Sequence, residues 1–494
     1  MNCAPLYING EFIETRDRQN VLNPSTGKVI AQAFLASEKE IDLAIESARR
    51  AFDKGAWRGL SLKERKAVIL RIAEGILNKA EELARIETES TGKPIKETTF
   101  MDVPSAAKTF EHAANNLEDY LADENLTPAQ EAGAVLLREP IGVVSLIIPW
   151  NYPLLIASWK MASALAAGNT VILKPSSLTP LTAFELGKII HDAGVPPGVV
   201  NIINASGAKA GQILCCDKRI DMISFTGSLE VGKEILKYTS ASIKKLLLEL
   251  GGKSASLIFA DADIDTVVNS SLCSVFLNQG QMCTAMSRIF VQDNIYDKFV
   301  AGFVNKAKSI KLGLSSNHET QMGPLVTDSQ RKKIIAYLEK AKTEGAKILC
   351  GGKIPPDQEL KNGYFFEPTV IGNVKAHMHI FKEEVFGPVT IIGSFSDTKE
   401  AVELANSSDF GLAACIWSKD LRLAEEVAKK INAGTIWINT YGMFYNQLPY
   451  GGFKQSGFGK ELGREGFLEY TRLKNIITDN SSEGRPLVSY WYGF

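Results

Sequence analysis

Three residues far apart in the chain have the types that carbonyl chemistry needs: Asn151, Glu249 and Cys283. A cysteine of ordinary pKa, ~8.5, is only a few per cent thiolate at neutral pH. The thiolate is nonetheless intrinsically nucleophilic, and carbonyl carbons are its natural targets. Attack puts negative charge on the carbonyl oxygen, which then needs preorganised donors. Asn151 follows Trp150 just past an apolar run, and its carboxamide can supply one. Glu249 ends another apolar run beside Gly251 and Gly252, where the missing side chains leave room for a bound molecule. Its carboxylate can act as a general base toward water. Taken singly, each has a plainer reading: free cysteines are mostly buried packing residues, and a lone glutamate is more often a helix cap or surface charge. Five histidines, with His377 and His379 the only close pair, offer no third ligand group, so no metal site is expected.

A second set of residues has the types that hold a nucleotide. Phe225-Thr226-Gly227-Ser228 stands between an apolar run and a helical pattern. Glycine there lets the backbone approach a ligand, and the helix N-terminus offers free amides to phosphate. Lys174-Pro175-Ser176-Ser177 ends another apolar run. Ligands of open α/β sheets bind beyond the carboxyl ends of the strands, so Lys174, Gly227 and Ser228 can converge on one nucleotide. The stretch from Gly457 to Gly463 has the wrong spacing for a GxGxxG turn and no strand before it, and is expected to be a loop.

The elements that would position these residues follow from periodicity. From 141 to 250 the pattern alternates strand and helix, which predicts a parallel, doubly wound sheet. Strands are expected near 142–148, 170–173, 199–203, 222–225 and 246–249. A second alternating block, 253–450, predicts another α/β unit. Before 141, short strands over 6–31 surround a turn at 23–27. Helical spacing follows over 38–54 and 62–91, with Ser37 and Ser61 as N-caps. Leu126-Thr127-Pro128 breaks the pattern, and 134–140 reads as an extended excursion. The tail from 466 is polar, then aromatic, and can pack on another subunit.

Composition sets the outer bounds. At roughly 100–200 residues per domain, 494 residues predict two to four domains. A net charge of −1 leaves no basic footprint for nucleic acid. The most apolar region, 141–168, is interrupted by Pro149, Asn151, Pro153 and Lys160, short of the ~18 uninterrupted apolar residues a membrane helix needs. Seven cysteines without CxxC spacing fit a reduced, cytoplasmic setting.

The motifs together resemble the aldehyde dehydrogenase superfamily over essentially the whole chain. Those that match are Pro149-Trp150-Asn151-Tyr152-Pro153, Lys174-Pro175-Ser176, Phe225-Thr226-Gly227-Ser228, Leu248-Glu249-Leu250-Gly251-Gly252-Lys253, Gly280-Gln281-Met282-Cys283, Glu383-Glu384-Val385-Phe386-Gly387-Pro388 and the run from Pro449 to Gly457. The resemblance implies Cys283 as nucleophile, Asn151 with the Cys283 backbone N–H as oxyanion hole, and Glu249 as general base. It implies that Trp150, Lys174, Ser177, Gly227, Ser228, Gly251, Glu384 and Phe386 bind NAD or NADP. Lys174 would hold the adenosine ribose, Ser228 meet the pyrophosphate, Glu384 hold the nicotinamide ribose and Phe386 pack at the nicotinamide end. A thiohemiacetal, hydride transfer, a thioester and hydrolysis would follow. A discontinuous cofactor domain (1–121 and 140–250), a catalytic domain (251–450) and a small β oligomerisation arm with tail (122–139 and 451–494) are also implied, in a homodimer or homotetramer.

One departure bears on the cofactor. NAD-preferring members carry a glutamate three residues after the matching lysine, which repels a 2′-phosphate. This chain has Ser177 there, so NADP stays open. For the substrate, Tyr152, Trp159, Leu277, Met282, Thr284 and Tyr450 are the expected pocket residues. The segment from Pro149 to Leu155 and Trp159 resemble betaine-aldehyde and aminoaldehyde dehydrogenases, whose aromatic box binds an ammonium group by cation–π attraction. Leu277 and Tyr450 depart from that pattern, standing where plant members carry Trp. A quaternary-ammonium or ω-amino aldehyde and a broad range of aliphatic or aromatic aldehydes both fit; a semialdehyde acid fits less well, since no arginine stands in the pocket motifs. A non-oxidative esterase would leave the nucleotide residues unexplained. A non-catalytic relative should lack Cys283 or Glu249, and CoA-acylating relatives tend to lack the glutamate.

Overall fold

The alternation from 141 onward folds as parallel strands. In the computed structural model, which describes residues 3–129 and 132–480, these are β1 (Val143–Ile147), β2 (Thr170–Lys174), β3 (Val200–Ile202), β4 (Met222–Thr226) and β5 (Lys245–Glu249). They stand in the spatial order β5-β4-β1-β2-β3. Their runs are apolar almost throughout because both faces are covered: every residue of β1 and β2 is buried. The chain moves outward from β1 in both directions, so the strand order reverses between β1 and β4, where open α/β sheets bind ligands. The register brings Phe225 beside Ile147 and Thr226 beside Glu249.

The sheet is not wholly parallel. The hairpin Leu6–Ile8 and Glu11–Ile13 extends it beyond β3 in antiparallel sense. At the other edge, Gly457–Phe458, expected as part of a loop, forms a short strand antiparallel to β5, with Gly457 opposite Glu249. Gly457 has φ +116°, and a Cβ there would lie 1.9 Å from the Leu248 carbonyl oxygen, so only glycine lets this edge close on β5. Two residues are too short a run for any periodicity to announce.

Helix α1 (Pro153–Ala166) follows β1 and is buried on nearly every side. Helix α2 (Leu229–Thr239) follows β4 and is capped by Ser228. The N-terminal helices begin as expected: Ser37 with Glu40 and Ser61 with Glu64 form capping boxes. The expected helix over 62–91 is two helices, divided at Lys79.

A second sheet of seven strands contains Ala255–Ile258 in its interior, flanked by Arg288–Gln292 and Ala413–Trp417. Thr369–Gly372, a strand the sequence pattern did not reveal, pairs between Val389–Phe395 and the antiparallel edge strand Lys347–Cys350. Helix α3 (Ile264–Phe276) leads from this sheet to Cys283. The excursion is a third sheet in which Ala132–Pro140 lies between Glu124–Ala129 and Thr471–Asp479. Pro128 sits on its edge strand, where a missing N–H is tolerated. The tail from 481 lies outside the described residues. Among the described residues no helix is long and apolar enough to cross a membrane.

Candidate active site

The carboxyl ends of β1, β4 and β5 converge with the turn after α3 on Cys283. Two cavities meet there: one of about 250 Å³ and one of about 230 Å³, both lined by Tyr152, Ile156, Thr226, Leu250 and Cys283. One is apolar and aromatic. The other runs past Trp150, Asn151, Gly227, Ser228, Gly251, Glu384 and Phe386. A reactive cysteine at the junction of two pockets can hold a substrate from one side and a redox partner from the other.

Cys283 is reached through an unusual backbone. Asn278 (φ +48°), Gln279 (φ +56°) and Gly280 (φ +67°) are three left-handed residues in succession. Burial pushes the Cys283 thiol up to about 12; the Tyr450 hydroxyl, 3.3 Å from Sγ, opposes this, while Glu384 and Glu249 add to it. Resting Cys283 is therefore a neutral thiol. A Cβ on Gly252 would lie 2.3 Å from the Cys283 carbonyl oxygen, so the glycine lets β5's exit pass against the nucleophile turn.

Asn151 is buried and donates through Nδ2 to the Gln281 carbonyl at 2.9 Å, while its own carbonyl accepts from Asn278 Nδ2 at 3.1 Å. A carboxamide nitrogen has two N–H groups, so one remains for a developing oxyanion. Glu249 is buried, and no side chain among the described residues donates to its carboxyl. Burial first, then nearby Glu461, hold its carboxyl well above the usual carboxylate range. Gly451 makes room for it: a Cβ there would sit 2.7 Å from Glu249 Oε1.

The nucleotide-type residues are arranged as a cradle. The N–H of Gly227 donates to the Glu249 carbonyl at 3.0 Å, so that amide is spent inside the sheet. The Ser228 hydroxyl accepts from Val231 N–H at 3.4 Å and keeps its own proton to donate, at the positive end of α2. Glu384 accepts from Gly252 N–H at 2.9 Å, and burial lifts it to about 7. A Cβ on Gly251 would lie 2.3 Å from Glu384 Oε2. Trp150 and Phe386 meet edge to face, centroids 5.3 Å apart, on the same cavity. Lys174, buried at the end of β2 and lowered by burial to about 8, and half-buried Ser177 stand apart from that cavity's lining, farther along the sheet edge. Space left by glycine, free helix-terminal donors and a buried cation one strand away fit a dinucleotide.

All six expected pocket residues line the aromatic cavity: Tyr152, Trp159, Leu277, Met282, Thr284 and Tyr450. Trp159 lies 5.4 Å from the Tyr450 ring and 5.7 Å from Phe444, which itself meets Tyr450 edge to face at 5.4 Å. Tyr152 donates to Met282 Sδ at 3.2 Å, and its ring already carries the Lys93 ammonium 3.5 Å from its centre. Thr284 Oγ1 lies 3.5 Å from the Tyr441 hydroxyl.

Five side chains around the site escaped the sequence reading. Phe444 comes from a loop without periodicity. Glu461 lines the same cavity and pairs with Lys160, buried inside α1. Lys160 also donates to Ser224 Oγ at 2.9 Å. Lys93 and Asp102 form a second buried ion pair behind Tyr152. A signal for the lysine existed: a charge inside an apolar helix demands a buried partner. Glu461 stood in the glycine-rich stretch set aside as a loop.

The chain matches the aldehyde dehydrogenase family over residues 12–476. It is 44% identical over 489 residues to a betaine aldehyde dehydrogenase of Bacillus subtilis, covering 99% of both chains. It is 41% identical to a mitochondrial aldehyde dehydrogenase of Homo sapiens, covering 96% of this chain and 92% of that one. Among solved structures, a betaine aldehyde dehydrogenase of Staphylococcus aureus in complex with NAD+ superposes with TM-score 0.96 at 40% identity, covering 99% of this chain and 97% of that one. Sequence, fold and the residues gathered around Cys283 agree: the chain belongs to the aldehyde dehydrogenase family.

Proposed function

We propose that the protein oxidises an aldehyde to the carboxylic acid with NAD, and that its preferred substrate carries a quaternary or primary ammonium group. The observation that carries the substrate class is the ring cluster of Trp159, Tyr450 and Phe444 on the cavity that ends at Cys283. Aromatic faces attract a cation by ~0.5–2 kcal/mol per contact. Tyr152 completes the wall, but with Lys93 already on its ring it adds shape more than attraction.

The Cys283 thiol gives its proton to water in the cavity, and Sγ adds to the aldehyde carbon as the carbonyl π bond opens onto oxygen. The Asn151 carboxamide and the Cys283 N–H stabilise the oxygen that becomes negative. NAD, when bound, accepts the hydride; Trp150, Lys174, Ser177, Gly227, Ser228, Gly251, Glu384 and Phe386 would hold it. The acyl group then stands on Cys283 as a thioester. Glu249, once ionised, takes a proton from water as the water attacks, and the acid departs.

In this reading, residues 1–121 with 140–250 are the cofactor domain, 251–450 the catalytic domain, and 122–139 with 451–494 the arm of a homodimer or homotetramer. Exposed Leu473 and Ile477, four apart on one strand, supply an apolar face of the arm. Cys215, Cys216, Cys273, Cys283, Cys350 and Cys415 are thiols, which fits a reducing cytoplasm. A second reading, a broad aliphatic and aromatic specificity, is favoured by Leu155, Ile156 and Leu277 on the same cavity. An aldehyde panel followed by reduced-cofactor absorbance separates the two. Betaine aldehyde and aminoaldehydes should show the highest kcat/KM; hexanal or benzaldehyde equalling them would refute the ammonium preference.

A further inference from the structure

The left-handed run Asn278-Gln279-Gly280 stands two residues ahead of the nucleophile, separated from it by Gln281 and Met282, and two of its three residues are not glycine. Such a backbone persists only where its surroundings over-determine it. Part of what holds it is local. Asn278 Nδ2 donates to the carbonyls of Asn151 and Gln281, both at 3.1 Å, and Gln281 N–H returns to the Asn278 carbonyl at 2.9 Å. The Asn278 N–H, by contrast, points away from its own loop and donates to Glu97 Oε2 at 3.1 Å. Glu97 is the one carboxylate that receives a hydrogen bond from this turn.

Glu97 is placed by an irregular element. The short helix Ile95–Glu97 runs into a π-helical turn, Thr98–Asp102. The wider turn sends Phe100 and Met101 outward to the cavity mouth, while Glu97 and Asp102 both turn inward. Asp102 pairs there with Lys93, whose ammonium also lies against the Tyr152 ring. Buried Glu87 completes the cluster and accepts from Leu154 N–H, in the first turn of α1, at 3.3 Å. One cluster thus grips both walls of the site: the turn that aims Cys283, and the segment that carries Asn151 and Tyr152. Such π-turns occur often at functional sites.

We propose that Glu97 is a positioning residue for the nucleophile, fixing through Asn278 N–H the left-handed turn that aims Cys283 at the carbonyl carbon. It does not touch substrate or cofactor. The inference rests on Cys283 being the nucleophile, which Cys283→Ala tests separately: retained dehydrogenase activity in that variant would remove the nucleophile reading itself.

What matters is the acceptor oxygen. Burial, the largest influence, lifts the Glu97 carboxyl to about 8, so at neutral pH it is protonated and close in shape and bonding to glutamine. Glu97→Gln should therefore keep the bond and the activity, whereas Glu97→Leu removes the acceptor and leaves a buried N–H orphaned. In Glu97→Leu, kcat per folded molecule should fall at least ~10-fold with KM for NAD within about twofold, and the reaction of Cys283 with a small disulfide reagent, followed by peptide mass, should slow in parallel. If Glu97→Leu does not fold, Glu97→Asp, one methylene too short to reach Asn278, should show the same pattern. Wild-type kcat and Cys283 reactivity in a folded Leu or Asp variant would overturn the proposal, and so would Glu97→Gln being as impaired as Glu97→Leu.

Discussion

Removing one oxygen atom from Tyr450 isolates the electrostatic support of the nucleophile. The Tyr450 hydroxyl lies 3.3 Å from Cys283 Sγ and lowers the thiol against a burial effect that lifts it to about 12. In Tyr450→Phe the ring contacts with Trp159 and Phe444 survive, so packing changes little. A hydrogen bond to a charged acceptor contributes ~1.5–3 kcal/mol, and one pKa unit is ~1.36 kcal/mol. The thiol should therefore rise by ~1–2 units, and the thiolate population at fixed pH fall ~10–100-fold. Each remaining thiolate is more nucleophilic, since reactivity follows basicity with a Brønsted slope of ~0.4–0.5. The net loss is then ~3–16-fold. The assay is the second-order rate of Cys283 with a small disulfide such as 2-hydroxyethyl disulfide, read by peptide mass from pH 7 to about 10. The ratio of rates should stay constant over this range, which lies below the thiol's pKa. A Tyr450→Phe protein of unchanged Tm that reacts within twofold of wild type would refute the assignment of Tyr450 as donor to the sulfur.

Four further outcomes follow from the same geometry. Glu249→Gln should give a burst of reduced cofactor and then slow turnover by ~10²–10⁴, the usual size of a general-base contribution; steady turnover at the wild-type rate would show that another base operates. Because Glu249 sits well above the usual carboxylate range and acts only when ionised, deacylation should rise with pH, and Lys460→Met, which removes a nearby cation that lowers Glu249, should move that rise to higher pH. An unmoved profile in single-turnover deacylation would contradict the coupling. Ser177→Glu should raise KM for NADP ~5–30-fold over any change for NAD, corresponding to ~1–2 kcal/mol of charge repulsion near the surface; equal effects on both cofactors would place the 2′-phosphate elsewhere. Leu473→Lys with Ile477→Lys should lower the oligomeric state in light scattering, since both side chains are exposed and share one face of the strand, whereas an unchanged mass would clear this face of a role in assembly.

Much of the fold was legible because burial on both faces leaves a plain mark. Runs such as Val143–Ile147 and Thr170–Lys174 are apolar without alternation, and the N-terminal helices Glu38–Asp53 and Leu62–Asn78 carry helical spacing and serine caps. The edges were illegible for the opposite reason. Thr369–Gly372 and Gly457–Phe458 are held by neighbours distant in sequence, and runs of four and two residues carry no period of their own. Within the site, Asn151, Glu249 and Cys283 announced themselves by residue type and motif.

The sequence by itself determined which atoms can react and which family's motifs surround them. Only the tertiary structure decided their condition. Cys283 is buried enough to rest as a thiol, and burial holds Glu249 well above the usual carboxylate range. Tyr152 is occupied on its ring by Lys93. Lys160 inside α1 finds its partner in Glu461, some three hundred residues later. Glu97, an unremarked charge in a short helix, reaches the amide of the turn that carries the nucleophile. Protonation and aim depend on desolvation and on partners brought in by the fold, and neither quantity is a property of a residue type or of its spacing along the chain.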